Sequence, residues 1–291
     1  MILKKKTIYL FFIILAASTV VNKVYAEGDE GDGYLHNLQY SPRYFGPNAF
    51  PMPELRSGSL GTRWEAEVRG EYHEFEGDRT KDIYARLFVP VAEGRAGLEI
   101  NYVIYEYYNM TRETVEERHA AGTHWDHGAH GDIIVSSFYR LLKSEKWADI
   151  MLEATLKTAS GNRLADARYT DAAAYWFNVN IGRNLYKRPD NKLHLRIQGL
   201  AGFYCWMTNE IVHRQNDAFI YAAGISGAFK NLTLDADVAG IYGYKNNGDR
   251  PLQLRTKLNY EYGKSIFSFR YKHGMKDALY DTFSVGYIRC F

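Results

Sequence analysis

Residues 62–72 read TRWEAEVRGEY. Trp64, Ala66, Val68, Gly70 and Tyr72 alternate with Arg63, Glu65, Glu67, Arg69 and Glu71. A period of two sustained over this length describes a strand with one apolar and one charged face. The device recurs at ADIMLEATLKT (148–158), KLHLRIQGLAGFYCW (192–206), LTLDADVAGIYGY (232–244) and PLQLRTKLNYEY (251–262). Alternation alone fits a soluble β-sandwich equally well, with its apolar faces turned inward. The links between strands separate the two cases.

Twelve alternating segments are predicted, near 62–73, 81–92, 95–108, 131–141, 146–159, 172–186, 192–208, 218–229, 232–244, 252–262, 265–273 and 281–291. Tight turns are expected at 93–94, 142–145, 187–191, 230–231 and 263–264. Longer polar links are expected at 74–80, 109–130, 160–171, 209–217, 245–251 and 274–280. Short and long alternate strictly, as they do when one barrel end faces the periplasm and the other the outside. Many strands exceed the usual soluble length. Aromatics gather near strand ends (Tyr105, Tyr107 and Tyr108; Tyr242 and Tyr244; Tyr260 and Tyr262), where girdles mark the lipid–water boundary. The predicted fold is all-β: a transmembrane, antiparallel, up-and-down β-barrel of about 12 strands spanning 62–291.

The chain opens MILKKKTIYLFFIILAASTVVNKVYA. Lys4, Lys5 and Lys6 precede an apolar core from Thr7 to Val21, and Val24-Tyr25-Ala26 is a small-x-small site. Residues 1–26 therefore read as a cleavable secretory signal peptide. Cleavage removes four lysines and no acid, moving the formal charge from +2 to −2. A near-neutral mature chain offers no electrostatic case for nucleic acid. Cys205 and Cys290 make no disulfide framework and read as two free thiols. No cofactor motif is present: there is no Walker loop and no GxSxG elbow.

The chain ends SVGYIRCF (284–291), on an aromatic inside a strand-like run. Phe283, Val285, Tyr287 and Phe291 share one face. Ser284, Gly286 and Phe291 resemble the C-terminal signature of bacterial outer-membrane β-barrel proteins, with Arg289 departing where an aromatic is usual. The resemblance implies a Gram-negative outer-membrane location, contact with outer-membrane lipid, and insertion by the barrel-assembly machinery. Gly286, Tyr287 and Phe291 would act as the insertion signal.

Residues 27–61 fall outside the strand pattern. Pro42, Pro47, Pro51 and Pro53 forbid a helix and favour an extended path. Tyr40, Tyr44, Phe45 and Phe50 make the segment too apolar for a plain linker. It is expected either to fold into the lumen as a plug or to pack under the periplasmic mouth.

If the apolar faces meet lipid, the charged faces line the lumen. Arg255, Lys257, Arg270 and Lys272 then form a basic wall, opposed by Glu65, Glu67, Asp149, Glu153, Asp235 and Asp237. Separated walls would orient and filter a small polar solute; paired charges would merely satisfy one another. Inward-facing Ala218, Ala222, Gly224, Ser226 and Ala228 leave space along one side.

The loop RETVEERHAAGTHWDHGAHGD (112–132) groups His119, His124, His127 and His130. Imidazole and carboxylate suit Zn²⁺ or Cu²⁺, but the spacing matches no metal motif, so no metal is expected. No His-x-Ser pair of the outer-membrane phospholipase type occurs. The leading expectation is a passive, porin-like channel for small polar solutes. The alternatives are an outer-membrane enzyme with its site in loops 109–130 and 160–171, or a structural or assembly subunit.

Overall fold

The computed structural model describes residues 38–121, 126–189, 193–206 and 217–291. Residues 1–26, expected to be a signal peptide, together with residues 27–37, His124 and most of the 209–217 link, lie outside the described residues. Among the described residues are thirteen strands: β1 Glu65–Phe75, β2 Asp78–Val91, β3 Ala96–Met110, β4 Asp126–Ala129, β5 Ile134–Leu142, β6 Asp149–Lys157, β7 Ala174–Lys187, β8 Leu193–Trp206, β9 Ala218–Phe229, β10 Leu232–Tyr242, β11 Leu252–Tyr262, β12 Ser265–Lys276 and β13 Asp281–Cys290. Twelve form a closed antiparallel barrel, each paired with its neighbours in sequence, and β1 closes on β13 from Glu65↔Cys290 to Glu74↔Asp281. β4 is a short extra strand that extends the loop end of β3. Closure leaves no open edge in the twelve-stranded wall, which the hydrocarbon layer would not tolerate.

The outer face carries Val68, Leu98, Leu152, Phe177, Ile181, Ile225, Leu234, Phe269 and Val285, all exposed. Tyr105, Phe177, Phe203, Phe219 and Tyr242 ring the loop end, and Tyr139, Tyr186, Phe229, Tyr260, Tyr262, Phe267 and Tyr287 ring the turn end. Between these girdles the surface is apolar, as a lipid-facing band requires. No helix among the described residues is long and apolar enough to cross a membrane; the strands do so.

Three expectations need correction. The first link, expected at 74–80, is the two-residue turn Glu76-Gly77, because β1 and β2 stay paired up to Phe75↔Asp78. The strands continue so that Asp78 and Thr80 reach a buried polar network at the mouth. Gly77 has φ +84, and a Cβ there would lie 2.0 Å from Thr114 Oγ1 at the start of helix α1 (Arg112–Glu117). Second, Tyr108 is fully buried rather than in the girdle. β3 carries a bulge: Ile83 pairs with Tyr105 and Tyr84 with Val103, so Ile104 is skipped. One extra residue reverses the side-chain alternation, turning Glu106, Tyr108 and Met110 inward. Third, the lumen charges are not separated into opposing walls, as set out below.

Candidate functional site

Residues 38–61 run the length of the lumen, from the loop end to the turn end. Gln39 Nε2 donates to Asn247 Oδ1 (3.2 Å), and Gly46 N to Ala167 O (2.8 Å), at the loop end. Asn48 Nδ2 donates to Asp82 (2.7 Å) and Glu106 (2.9 Å). Lower down, Arg255 Nη1 donates to Pro53 O (2.9 Å) and Glu54 pairs with Arg270 (2.6 Å). Arg56 N then donates to Asn180 Oδ1 (3.0 Å), and its guanidinium to Glu99 (2.7 Å). The four prolines donate no backbone hydrogen, so the segment is held by side chains rather than by joining the sheet. Where it leaves the barrel it touches the wall. Gly58 has φ +74, and a Cβ on Gly182 would lie 2.1 Å from Ser57 O. Only glycine lets the two backbones approach this closely.

One side of this contact is apolar. Trp176, Tyr204, Trp206, Ile220, Ala222, Ala239 and Ile241 form a buried cluster against which Phe50, Met52 and Leu55 pack. Six rings run in series, Tyr40–Phe45–Phe50–Trp206–Tyr204–Trp176, with centroids 4.9–5.5 Å apart. The small residues Ala218, Ala222 and Ser226 of β9 lie in the same wall and make room for the segment.

The other side is ionic, and the charges are interleaved. Arg86 bridges Glu65 (2.7 Å), Glu67 (2.7 Å) and Glu99 (2.9 Å). Glu67 also meets Arg69 (2.9 Å) and Arg270 (3.1 Å). Asp149 pairs with Arg196 (2.6 Å), Asp237 with Arg255 (2.7 Å), and Asp235 with Lys257 (3.5 Å). Glu153 accepts from Trp176 Nε1 and Asn180 Nδ2, each at 3.2 Å. Asp235↔Lys257 and Asp237↔Arg255 are direct cross-strand partners. The opposing-wall expectation fails because sheet register places acid and base side by side.

At the loop end a denser network gathers at the mouth. Asp78 accepts from Arg118 (2.8 Å) and Tyr280 (2.6 Å) and pairs with Arg168, which also pairs with Glu106 (2.7 Å). Tyr169 donates to Glu106 (2.7 Å), and Tyr108 to Asp166. Lys157 joins Asp132 (2.7 Å), Thr170 Oγ1 (3.1 Å) and Ala172 O (2.9 Å). The polar groups of the links after β3 and β6 are therefore tied into the wall. Burial pushes the Tyr169 and Tyr280 hydroxyls well above the usual phenol range, keeping them donors.

His119 is exposed with φ +54, His127 faces the Tyr108 ring at 6.5 Å, and the His130 amide donates to Asn162 Oδ1. The three donors that come within 4.8 Å of one another among the described residues are Glu71, His73 and Asp82. His73 bonds Asp82 and Thr282 (2.8 Å each), and Glu71 bonds Arg69 and Ser284, so all three are engaged within the protein. At the C-terminus, Phe283, Val285, Tyr287 and Phe291 are exposed on the outer face, while Gly286 lies against Arg69 inside. The Phe291 amide donates to Trp64 O (3.0 Å), completing the seam.

Between the luminal segment and the wall of β1–β3 and β10–β12 lies a cavity of about 410 Å³. Glu54, Arg255, Lys257, Arg270 and Lys272 border it. Sequence reading missed Glu54, Arg56, His73 and Glu106. For Glu54 and Arg56 the available signal was two charges placed just after Pro53 in an otherwise apolar, proline-rich run.

No family model and no curated protein matches the sequence. Among solved structures, the chain is similar to an outer-membrane channel from Pseudomonas putida F1: 12% identity and a TM-score of 0.58 over 91% of this chain and 100% of that one. It also resembles a KdgM porin (13%, TM-score 0.46, 77% and 99%) and the β domain of the Bordetella autotransporter BrkA (11%, 0.47, 79% and 99%). At these identities the likeness is one of fold. Closed register, lipid-facing band and charged lumen make this chain a twelve-stranded outer-membrane β-barrel.

Proposed function

We propose that the barrel is a passive channel for small polar solutes, narrowed by its own residues 38–61. The observation that carries this reading is the cavity beside the luminal segment. Its border keeps charged groups accessible: the Lys257 and Asp235 side chains retain 30% and 22% of their exposure, where a sealed interior would hold them dry. Export by residues 1–26 and insertion through the C-terminal strand by the barrel-assembly machinery belong to the same reading. The test is single-channel recording of the mature chain in planar bilayers. Discrete steps are expected, growing several-fold when residues 38–52 are deleted. A heat-modifiable, folded barrel that passes no current in either form contradicts it.

A further inference from the structure

The register of β11 and β12 sets like charges directly opposite one another. Arg255 faces Lys272, and Lys257 faces Arg270. Directly opposed like charges destabilise a sheet, so this quartet needs anions nearby. Three wall carboxylates supply part of the need: Asp237 on Arg255, Asp235 on Lys257 and Glu67 on Arg270. Glu67 is already shared with Arg69 and Arg86. Lys272 lies opposite Thr282, a neutral residue; among the described residues no carboxylate is in ion-pair contact with it, and Glu71, which acts on it from farther off, is itself held by Arg69 and Ser284. The wall's carboxylates are therefore shared among several cations, and the ladder can take a further anion.

That anion comes from the luminal segment. Glu54 lies 2.6 Å from Arg270 Nη1, and its side chain keeps 46% of its exposure. Arg270 Nε is buried with no partner, so the site has donor capacity left over. A buried pair sealed from solvent is fixed. This one opens on the cavity and belongs to a segment that shares no sheet hydrogen bonds with the barrel, so the contact is exchangeable.

Building on the channel reading, we infer that Arg270, Lys257 and Lys272 form a binding site for the carboxylate of a small organic acid, which Glu54 occupies in the resting barrel. An incoming carboxylate displaces Glu54 from Arg270 and is passed along the basic ladder. The class is carboxylate rather than phosphate because the resident occupant is a single propionate-like side chain. Its one close contact is to a single guanidinium nitrogen, whereas a phosphate would call on more donors at once.

The experiment compares the mature chain with Glu54→Gln and with Glu54→Gln, Lys257→Gln, Lys272→Gln, each first shown to be folded by heat-modifiable migration. In a potassium chloride gradient, Glu54→Gln is expected to raise the chloride-to-potassium permeability ratio several-fold. Propionate is expected to reduce its chloride current at a concentration at least tenfold lower than for the parent. The triple variant loses both effects. A conducting channel whose reversal potential and propionate sensitivity are unchanged by Glu54→Gln overturns the site and leaves the channel reading standing. Block by inorganic phosphate as strong as that by propionate overturns the carboxylate assignment. If a folded barrel passes no current, the channel reading fails, and calorimetric titration of propionate into detergent-solubilised Glu54→Gln still decides the site. Heat that the triple variant abolishes supports it, and no heat overturns it.

Discussion

Phe50 meets Trp206 edge to face, with ring centroids 5.3 Å apart and an interplanar angle of 88°. One ring belongs to the luminal segment and the other to β8, so this contact joins the two parts of the molecule. It is the middle link of the six-ring series, and it fills the space left by the small residues of β9.

Truncating that ring should release the segment. Phe50→Ala removes a large side chain from a packed cluster, a change that typically costs about 3–5 kcal/mol. We expect larger and noisier unitary conductance with little change in barrel melting, because the wall keeps its own pairing. Gly182→Ala, which forces a methyl group onto Ser57 O, should act in the same direction. A fall in barrel melting temperature with unchanged conductance would show that the ring supports the wall instead.

The mouth network gives a stability prediction. Arg168 is fully buried between Asp78 and Glu106. Arg168→Met would leave two buried carboxylates short of a cation, and breaking a buried pair of this kind typically destabilises by about 3–5 kcal/mol. Arg112→Met, at an exposed i,i+4 pair with Glu116, should leave stability essentially unchanged, because solvent screens the pair. The temperature at which the folded gel band is lost measures both.

The link after β10 gives a pH dependence. Asp249 is fully buried, its Oδ1 lacks a partner, and burial with Asp277 nearby pushes its carboxyl up to about 7. The folded state thus binds this proton more tightly than the unfolded chain, whose aspartates titrate near ~3.9. Its contribution is fully present below that value and is lost as pH rises through about 7. Protection of the Gly243 amide, which donates to Asp249 O, should fall across this range once intrinsic exchange is corrected. Asp249→Asn should remove the dependence. A flat profile in the parent would contradict the assignment.

These cases show what sequence could and could not reveal. Alternation such as Trp64 to Tyr72 fixed strand existence and facing, because a membrane barrel leaves each strand one lipid face and one lumen face. That reasoning put Arg255, Lys257, Arg270 and Lys272 on charged strand faces, and in the fold they border the cavity. Their partners were not legible, since register between strands decides whether Asp237 meets Arg255 or a distant wall. The bulge at Ile104 was hidden because a single skipped residue leaves no compositional mark. The path of residues 38–61 was half legible: prolines predicted extension, but only the small face of β9 and the Trp206 cluster give the segment a place to lie.

The seam gives a prediction about assembly. Phe291 puts its ring on the outer face and its amide on Trp64 O. Deleting Phe291 should lower outer-membrane yield severalfold, while Phe291→Tyr should retain it. Equal yields from the deletion and the parent would show that the last residue carries no insertion signal here.

The most direct test of the central claim places a thiol on the luminal segment. Met52 borders the cavity, and the two native cysteines are buried. Met52→Cys would be recorded in a bilayer while a membrane-impermeant thiol reagent is added. If solutes pass beside residues 38–61, unitary current should drop in discrete steps as each barrel is modified. Complete labelling, verified by mass, with current unchanged would show that the conducting path does not run past this segment.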